Sequence, residues 1–307
     1  MACVLCIVCL GCIGLFSVQP RGVTPIYNKK SIVNVLSAIP SSIPETHVES
    51  RHIHHYPIAN NSKTKPPFYP LNGTGQTVDI SGDFNIDIFN DFCAVEKDLA
   101  AIVPVYSAPG NFNRRKAMRE TVGRMCTTRK CKMFFIVGVS LDKDIFGQMK
   151  EEYLDARDML VIDKVDTYKD LNNKVVAMLD WLIQYCPKPK YVIHMIDDFF
   201  PNIDLILGAL NSIKSTRFIL GKINGNLVKP KRKPDTKWEI TEDEYPYPNY
   251  PRYIFGVVYA FLNEDTAVLR EWVHAVEYCW VEDVWFTGHV RKGAGFEHNY
   301  FLRNIHK

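Results

Sequence analysis

The sequence predicts an α/β fold, a mostly parallel central sheet flanked by helices, standing behind an N-terminal membrane anchor and a stem. Three observations predict it. From about residue 99 onward, short apolar runs bounded by turn residues alternate with helical patterns, the order that puts parallel strands under covering helices. Residues 2–18 form an uncharged apolar run. Between these two regions the chain is rich in Pro, Ser, Asn and His and holds neither the helical nor the strand period. The expected boundaries are 1–20 for the anchor, 21–90 for the stem and 91–307 for the folded body. Hydrophobic residues make up 47% of the chain and charged residues 23%, which excludes a collagen, a coiled coil and a disordered chain. Lys and Arg number 37 against 34 Asp and Glu, a net charge of +3, so no global basic field points to nucleic acid as a partner. A single apolar run excludes a multi-span transporter.

That run, ACVLCIVCLGCIGLFSV, lies at the lower limit of the roughly 17–25 residues a spanning helix needs. A signal-anchor is the expected reading, with a cleaved signal peptide as the alternative, although no positive n-region precedes it. The first cations, Arg21, Lys29 and Lys30, follow the run, and charge bias alone would put the body on the cytoplasmic side. Cys3, Cys6, Cys9 and Cys12 repeat at every third position. An apolar helix offers zinc no polar support, so they read as small apolar residues of the segment. In the stem, His52 to His55 read as a solvated loop, and Asn60-Asn61-Ser62 and Asn72-Gly73-Thr74 are glycosylation sequons that agree with a lumenal location. Cys93, Cys126, Cys131, Cys186 and Cys279 remain. An oxidising lumen would allow them two bridges and one leftover thiol. Pairing is not legible in the spacing, though Cys126 and Cys131 are close enough for a local closure.

In the body, residues 101–106 (AIVPVY) form the first strand, and NRRKAMRETVG follows with helical character. Residues 133–139 (MFFIVGV) and 159–163 (MLVID) are the second and third strands. A helix follows over LNNKVVAMLDWLIQYC, with Leu171, Val175, Met178, Leu179 and Leu182 on one stripe. Residues 191–196 (YVIHMI) are the fourth strand, and 218–223 and 253–262 are two more; EDTAVLREWVHAVEY is a helix after them. Open sheets of this kind bind ligands beyond the carboxyl ends of their strands. The fourth strand stops there at two carboxylates, Asp197-Asp198.

Such a pair suits a divalent ion that bridges protein to a diphosphate leaving group, although Asp is also common in turns after strands. A second acidic pair, Glu282-Asp283, follows the apolar stretch 276–280. A carboxylate there could take a proton from an acceptor hydroxyl, although the helix dipole equally favours acids at a helix start. Two separate acidic sites, one for metal and one for base, are what an inverting sugar transfer requires.

Several strings, in order, resemble glycosyltransferase family 31, the β-1,3-galactosyltransferase and β-1,3-N-acetylglucosaminyltransferase family, in a form similar to its nematode-type members. RRKAMRET is similar to R-R-x-x-I-R-x-T-W, and FFIVG to the family's second strand. EYLDARDMLVIDKVDTYKDLNNK resembles the segment that carries D-[ST]-Y-x-N-L-x-x-K. YVIHMIDDFFPN resembles the strand plus D-D-D-x-F-x-N. Lys237-Trp238 and YPRYIFGVVY resemble K-W and Y-P-x-Y-x-x-G-x-x-Y, and EDVWFTG resembles E-D-V-[YFL]-x-[TV]-G.

The resemblance implies a GT-A type catalytic domain in a single-pass type II Golgi membrane protein, which overrides the charge bias. It implies an inverting hexosyltransferase with a UDP-sugar donor, UDP-galactose or UDP-N-acetylglucosamine, a Mn2+ ion, and a glycan acceptor on protein or lipid. Carried across by position, Asp198 would be the metal ligand, with Asp197 supporting the metal and nucleotide. Asp283 would be the catalytic base, with Glu282 beside it. Arg115, Arg119, Asp166, Tyr168 and Lys174 would lie around the uridine diphosphate or hold its loops. The departures are also specific. Ile196 stands where the acidic triplet has its first Asp, Val122 replaces the Trp after R-x-T, Asp170 replaces the Asn before Leu171, and Val258 replaces a glycine-like position. His289, His298 and His306 are candidates for a third metal contact. Ile196 keeps open the alternative of an inactive member that binds sugar nucleotide or glycan as an accessory protein.

Overall fold

The computed structural model describes residues 76–80, 83–84, 91–93, 98–225, 228–234 and 236–300. The apolar run with its four cysteines, the His52–His55 cluster, both sequons and His306 lie outside the described residues. Among the described residues no helix is long and apolar enough to cross a membrane.

One sheet organises the body, in the order β3-β2-β1-β4-β6-β5-β7. Its strands are β1 (Ala101–Ser107), β2 (Cys131–Val139), β3 (Met159–Val165), β4 (Tyr191–Ile196), β5 (Phe218–Ile223), β6 (Ile254–Leu262) and β7 (Glu297–Tyr300). β3, β2, β1 and β4 run parallel, as do β5 and β7; β6 is inserted antiparallel between β4 and β5. The mostly parallel sheet flanked by helices expected from the sequence is therefore the observed architecture. β1 is buried at all its positions, as a strand covered on both faces must be, and for that reason it reads as a continuous apolar run.

Successive side chains leave a strand on opposite faces, and the core divides accordingly. Ile102, Phe134, Val192, Tyr259 and Phe261 pack on one face. Val103, Phe135, Ile193, Val258 and Ala260 pack on the other. On this second face lie α1 (Phe112–Met118), a π-type turn (Arg119–Gly123) that leads into α2 (Arg124–Thr128), α3 (Lys143–Ala156) and the helix that begins at Ile203. The first face is covered by α4 (Leu171–Tyr185), whose Val175, Met178, Leu179 and Leu182 are fully buried. The remaining helices are α5 (Ile203–Ser212), α6 (Thr266–Trp272), α7 (Glu282–Val284), which continues into a second π-type turn (Trp285–Val290), and α8 (Arg291–Gly293).

Part of the stretch expected as stem packs on the body. Val78 N–H donates to Asp163 O at 2.9 Å, and Val165 N–H donates to Gln76 O at 2.9 Å, so this segment pairs with β3. Phe84 is buried edge-on against Phe146 and Tyr153 of α3. Cys93 is disulfide-bonded to Cys186, 93 residues away. The local closure weighed for Cys126 and Cys131 is not formed: both are free buried thiols, as is Cys279. Cys126 lies in α2 and Cys131 opens β2, with the turn between them held by Lys130 at φ 54°.

Candidate active site

The parallel strands end together, and their last residues form the floor of the site. Asp197 continues the β4 ladder, its N–H donating to Tyr106 O at 3.2 Å. Its buried carboxylate accepts from Ser107 Oγ at 2.7 Å, Asn111 Nδ2 at 2.8 Å and Arg114 Nη1 at 3.2 Å. Asp198 is half exposed, and the same Arg114 Nη1 donates to it at 3.0 Å. Arg114 thus joins both carboxylates of the pair.

Arg115 turns the other way. It is fully buried, with Nε and Nη2 on Glu152, Nη1 on Ser107 Oγ and Ala108 O, and Nη2 also on Pro109 O at 2.9 Å. A guanidinium has five N–H donors, and all five are spent, two on Glu152 of α3 and three on the end of β1 and the loop after it. Contact with a diphosphate is closed to it; of the two roles expected, loop-holding is the one its surroundings allow. Arg119 grips Asp158 with Nε and Nη2 at 2.7 and 2.8 Å and Glu152 with Nη1 at 2.6 Å, and it stacks on the Phe135 ring. Burial would raise the Glu152 carboxyl, but the two arginines outweigh it and hold the group below its ordinary value. Asp158 is instead pushed up by burial, despite Arg119.

Asp166 and Lys174 form a latch. Lys174 Nζ donates to Ser107 O at 2.9 Å and pairs with Asp166 at 2.7 Å, and Asp166 Oδ2 accepts from Gly138 N at 3.0 Å. One buried ion pair, between Lys174 of α4 and Asp166 just past β3, thereby ties together the carboxyl ends of β1, β2 and β3. Gly138 permits this: a Cβ there would lie 2.8 Å from Lys164 O and 3.0 Å from the Asp166 Cβ.

The second acidic pair opens α7. Gly256 N–H donates to Asp283 Oδ2 at 3.2 Å, and Val284 N–H donates to Oδ1 at 2.9 Å. Burial raises the Asp283 pKa, and these backbone donors offset it only in part. Glu282 is buried, accepts from Tyr259 OH at 3.1 Å, and is pushed up to about 8 by burial and then by the charge of Asp283. Pushed up to about 8, Glu282 holds its proton at neutral pH, which leaves Asp283 as the candidate base of the pair.

The sheet register brings the two pairs to one edge. Met195 of β4 pairs with Val258 of β6. Gly256 and Asp197 each lie two residues past this last pair of the ladder, at the same end of the sheet. Tyr168, just past β3, is half exposed and accepts from Trp238 Nε1 at 2.8 Å. Its hydroxyl is raised by burial, and the charges of Asp283 and Glu282 add to this, so it lies within their field. Asp197, Asp198, Tyr168, Glu282 and Asp283 therefore converge on this edge, whereas Arg115, Asp166 and Lys174 support it from below and Arg119 lies with the Asp158 network.

Sequence reasoning passed over Arg114 and Asn111, which lie on one helical face at i, i+3 spacing, as Arg115 and Arg119 lie on another at i, i+4. That spacing was the available signal, and two adjacent arginines conceal it. His298 Nε2 lies 3.1 Å from Thr287 O, and His289 Nε2 lies 3.5 Å from Tyr245 OH. Among the described residues no group of three or more His, Cys, Asp or Glu could hold a metal ion. The pair at Asp197–Asp198 fits a divalent ion of the kind held by one or two carboxylates and completed by substrate phosphates, with the half-exposed Asp198 offering its oxygens.

The galactosyltransferase family model matches residues 113–300. The chain is 28% identical over 190 residues to beta-1,3-galactosyltransferase 5 of Homo sapiens, a match that spans 61% of this chain and 61% of that one. It is 27% identical over 226 residues to lactosylceramide 1,3-N-acetyl-beta-D-glucosaminyltransferase A of Danio rerio, over 69% of this chain and 59% of that one. Among solved structures, galactosyltransferase LgtC in complex with donor and acceptor sugar analogs is similar over 65% of this chain and 72% of that chain, at 10% identity and a TM-score of 0.32.

Proposed function

This chain belongs to the galactosyltransferase family, glycosyltransferase family 31, and from that premise we propose that it is an inverting hexosyltransferase of GT-A type. It moves galactose or N-acetylglucosamine from a UDP-sugar to a glycan hydroxyl on protein or lipid, forming a β-1,3 linkage. The observation that supports this beyond membership is the convergence of two acidic pairs on one sheet edge. In one, a half-exposed Asp198 beside a buried Asp197 is fit to meet a cation; the other presents a base whose proton affinity is raised.

In this reading the UDP-sugar lies over the ends of β1 and β4. Asp198, with Asp197 behind it, would hold Mn2+, which when bound supplies positive charge to the departing diphosphate. Arg114 bonds both carboxylates, while Asp198 stays half exposed. Asp283 takes the proton from the acceptor hydroxyl as that oxygen attacks the anomeric carbon and the bond to the diphosphate breaks. A base works best with a pKa near the operating pH, and the burial of Asp283 moves it in that direction. The Cys93–Cys186 bridge suits an oxidising compartment, in keeping with a lumenal domain on a type II anchor in the Golgi membrane. We take the catalytic domain to begin near Gln76, where the chain first pairs with β3.

The test is a donor screen on a chain beginning at Gln76, with Mn2+ and glycan acceptors present, that reads released UDP. Acceptor-dependent UDP release from UDP-galactose or UDP-N-acetylglucosamine supports the reading. An inactive accessory protein, which Ile196 favours, would bind UDP and release none from any donor.

A further inference from the structure

Beneath the acidic edge lies a buried polar stack that none of the roles above uses. His194 sits on β4 and faces the side covered by α4, on the same side as Tyr106 and Tyr259. Its ring is fully buried between the Tyr106 and Tyr259 rings, with centroids 4.1 and 4.2 Å away. Nε2 lies 3.2 Å from Gly256 O, and Nδ1 has no hydrogen-bond partner among the described residues. A carbonyl only accepts, so Nε2 carries the proton and donates. Burying the other nitrogen without a partner costs stability. A leucine or phenylalanine in this apolar position would avoid that cost, so the imidazole is retained for the bond it makes.

That bond ends on the residue that holds Asp283. The carbonyl of Gly256 accepts from His194, and the N–H of Gly256 donates to Asp283 Oδ2 at 3.2 Å. The same stack reaches the neighbouring acid, because Tyr259 OH donates to Glu282 at 3.1 Å. Space at the junction is tight: a Cβ on Gly256 would stand 3.0 Å from Glu282 Oε2 and 3.2 Å from the Asp283 Cβ.

We infer that His194 is a positioning residue for the Asp283 base, holding the Gly256 backbone where its N–H meets the carboxylate. The inference rests on the transferase reading above and adds to it a residue from the strand that also carries Asp197 and Asp198. His194 is kept neutral, pushed down to about 3 by burial, so it holds the backbone without adding charge. The other titratable groups around Asp283 are Glu282 on its own helix, Tyr250 and Tyr253 before β6, Tyr168 after β3, and Cys279. None of them bonds the Gly256 carbonyl.

The test compares His194→Phe, which keeps a ring in the stack and removes the donor, with His194→Gln, whose amide N–H reaches a similar point. His194→Phe should lower kcat by up to about a hundredfold, the scale of a roughly 1 Å misplacement. Its UDP affinity should stay within about threefold, and the acid limb of its pH–rate profile should move. His194→Gln should recover most of the rate. A parental kcat in His194→Phe overturns the inference, as does equal loss of kcat and UDP affinity, or a Gln variant no better than Phe. Should His194→Phe not fold, Gly256→Ala carries the test by pressing on both carboxylates from the same point. It should lose kcat with UDP binding intact, and a parental rate there overturns the inference too. Failure of the transferase reading looks different: the parent releases no UDP to any acceptor, or Asp283→Asn keeps the parental rate.

Discussion

Asp283 and Asp198 differ in what removing each should do. Asp283→Asn keeps the size of the side chain and loses the basicity. It should lower transfer by about two to four orders of magnitude, the range of general-base contributions, while UDP affinity measured by titration calorimetry stays within a few-fold. Asp198→Ala deletes the proposed cation ligand from a half-exposed turn, so Mn2+-dependent UDP binding should be lost with little change in thermal midpoint. Glu282 makes a separate prediction about pH. Its carboxyl is raised from the ordinary 4.5 to about 8 in the fold, so the folded state binds the extra proton between those values. The stability linked to that proton is complete below about pH 4.5 and is lost as pH rises through about 8. Glu282→Gln should flatten this decline, read as urea midpoints at pH 5 and pH 8. At this scale the sequence showed the carboxylates plainly, because an acidic pair after an apolar strand is conspicuous. It did not show which arginine faces the site. Arg114 and Arg115 are neighbours in sequence with opposite fates, and only the packing of α1 against Glu152 separates them.

Among the elements, β1, β4 and β5 could be read almost residue for residue, since a strand buried on both faces is a bounded apolar run. α3, α5 and β7 were not anticipated. α3 is polar over most of its length and buries only Met149 and Tyr153; its N-cap, Asp142, which accepts from Asp144 N and Ile145 N, was the legible signal. The helix placed over residues 264–278 runs only from Thr266 to Trp272. The stem boundary could not be read from periodicity either, because residues 76–80 and Phe84 join the body through a few separate contacts with β3 and α3. A chain beginning at Gln76 should therefore outlast one beginning at Asp91 in denaturant. Burial of Phe84 alone should contribute about 1.5–3 kcal/mol, and equal midpoints for the two chains would show the segment to be dispensable. Replacing Cys186 with Ser opens a closure of 93 residues. It should cost about 2–5 kcal/mol, the range for native bridges, measured against the parent without reductant.

For the molecule as a whole, alternation of strands and helices sufficed for the fold class. The strand order did not follow from it, since nothing in the apolar run at 254–262 says that β6 lies between β4 and β5. That placement decides how the site is divided. The half proposed for the nucleotide, with Ser107, Asn111, Arg114 and Asp197–Asp198, belongs to the first part of the chain; the half with the proposed base, Asp283, arrives with β6 and α7. During synthesis the first part emerges as a complete parallel unit, β1 to β4 with α1 to α4, and the Cys93–Cys186 bridge can close within it. Until residues 254–262 leave the ribosome, one side of β4 is an unpaired edge, open to pairing with other chains. The hazard of aggregation therefore falls in a defined interval of translation, and it ends when β6 docks and brings Gly256 into place to meet Asp283.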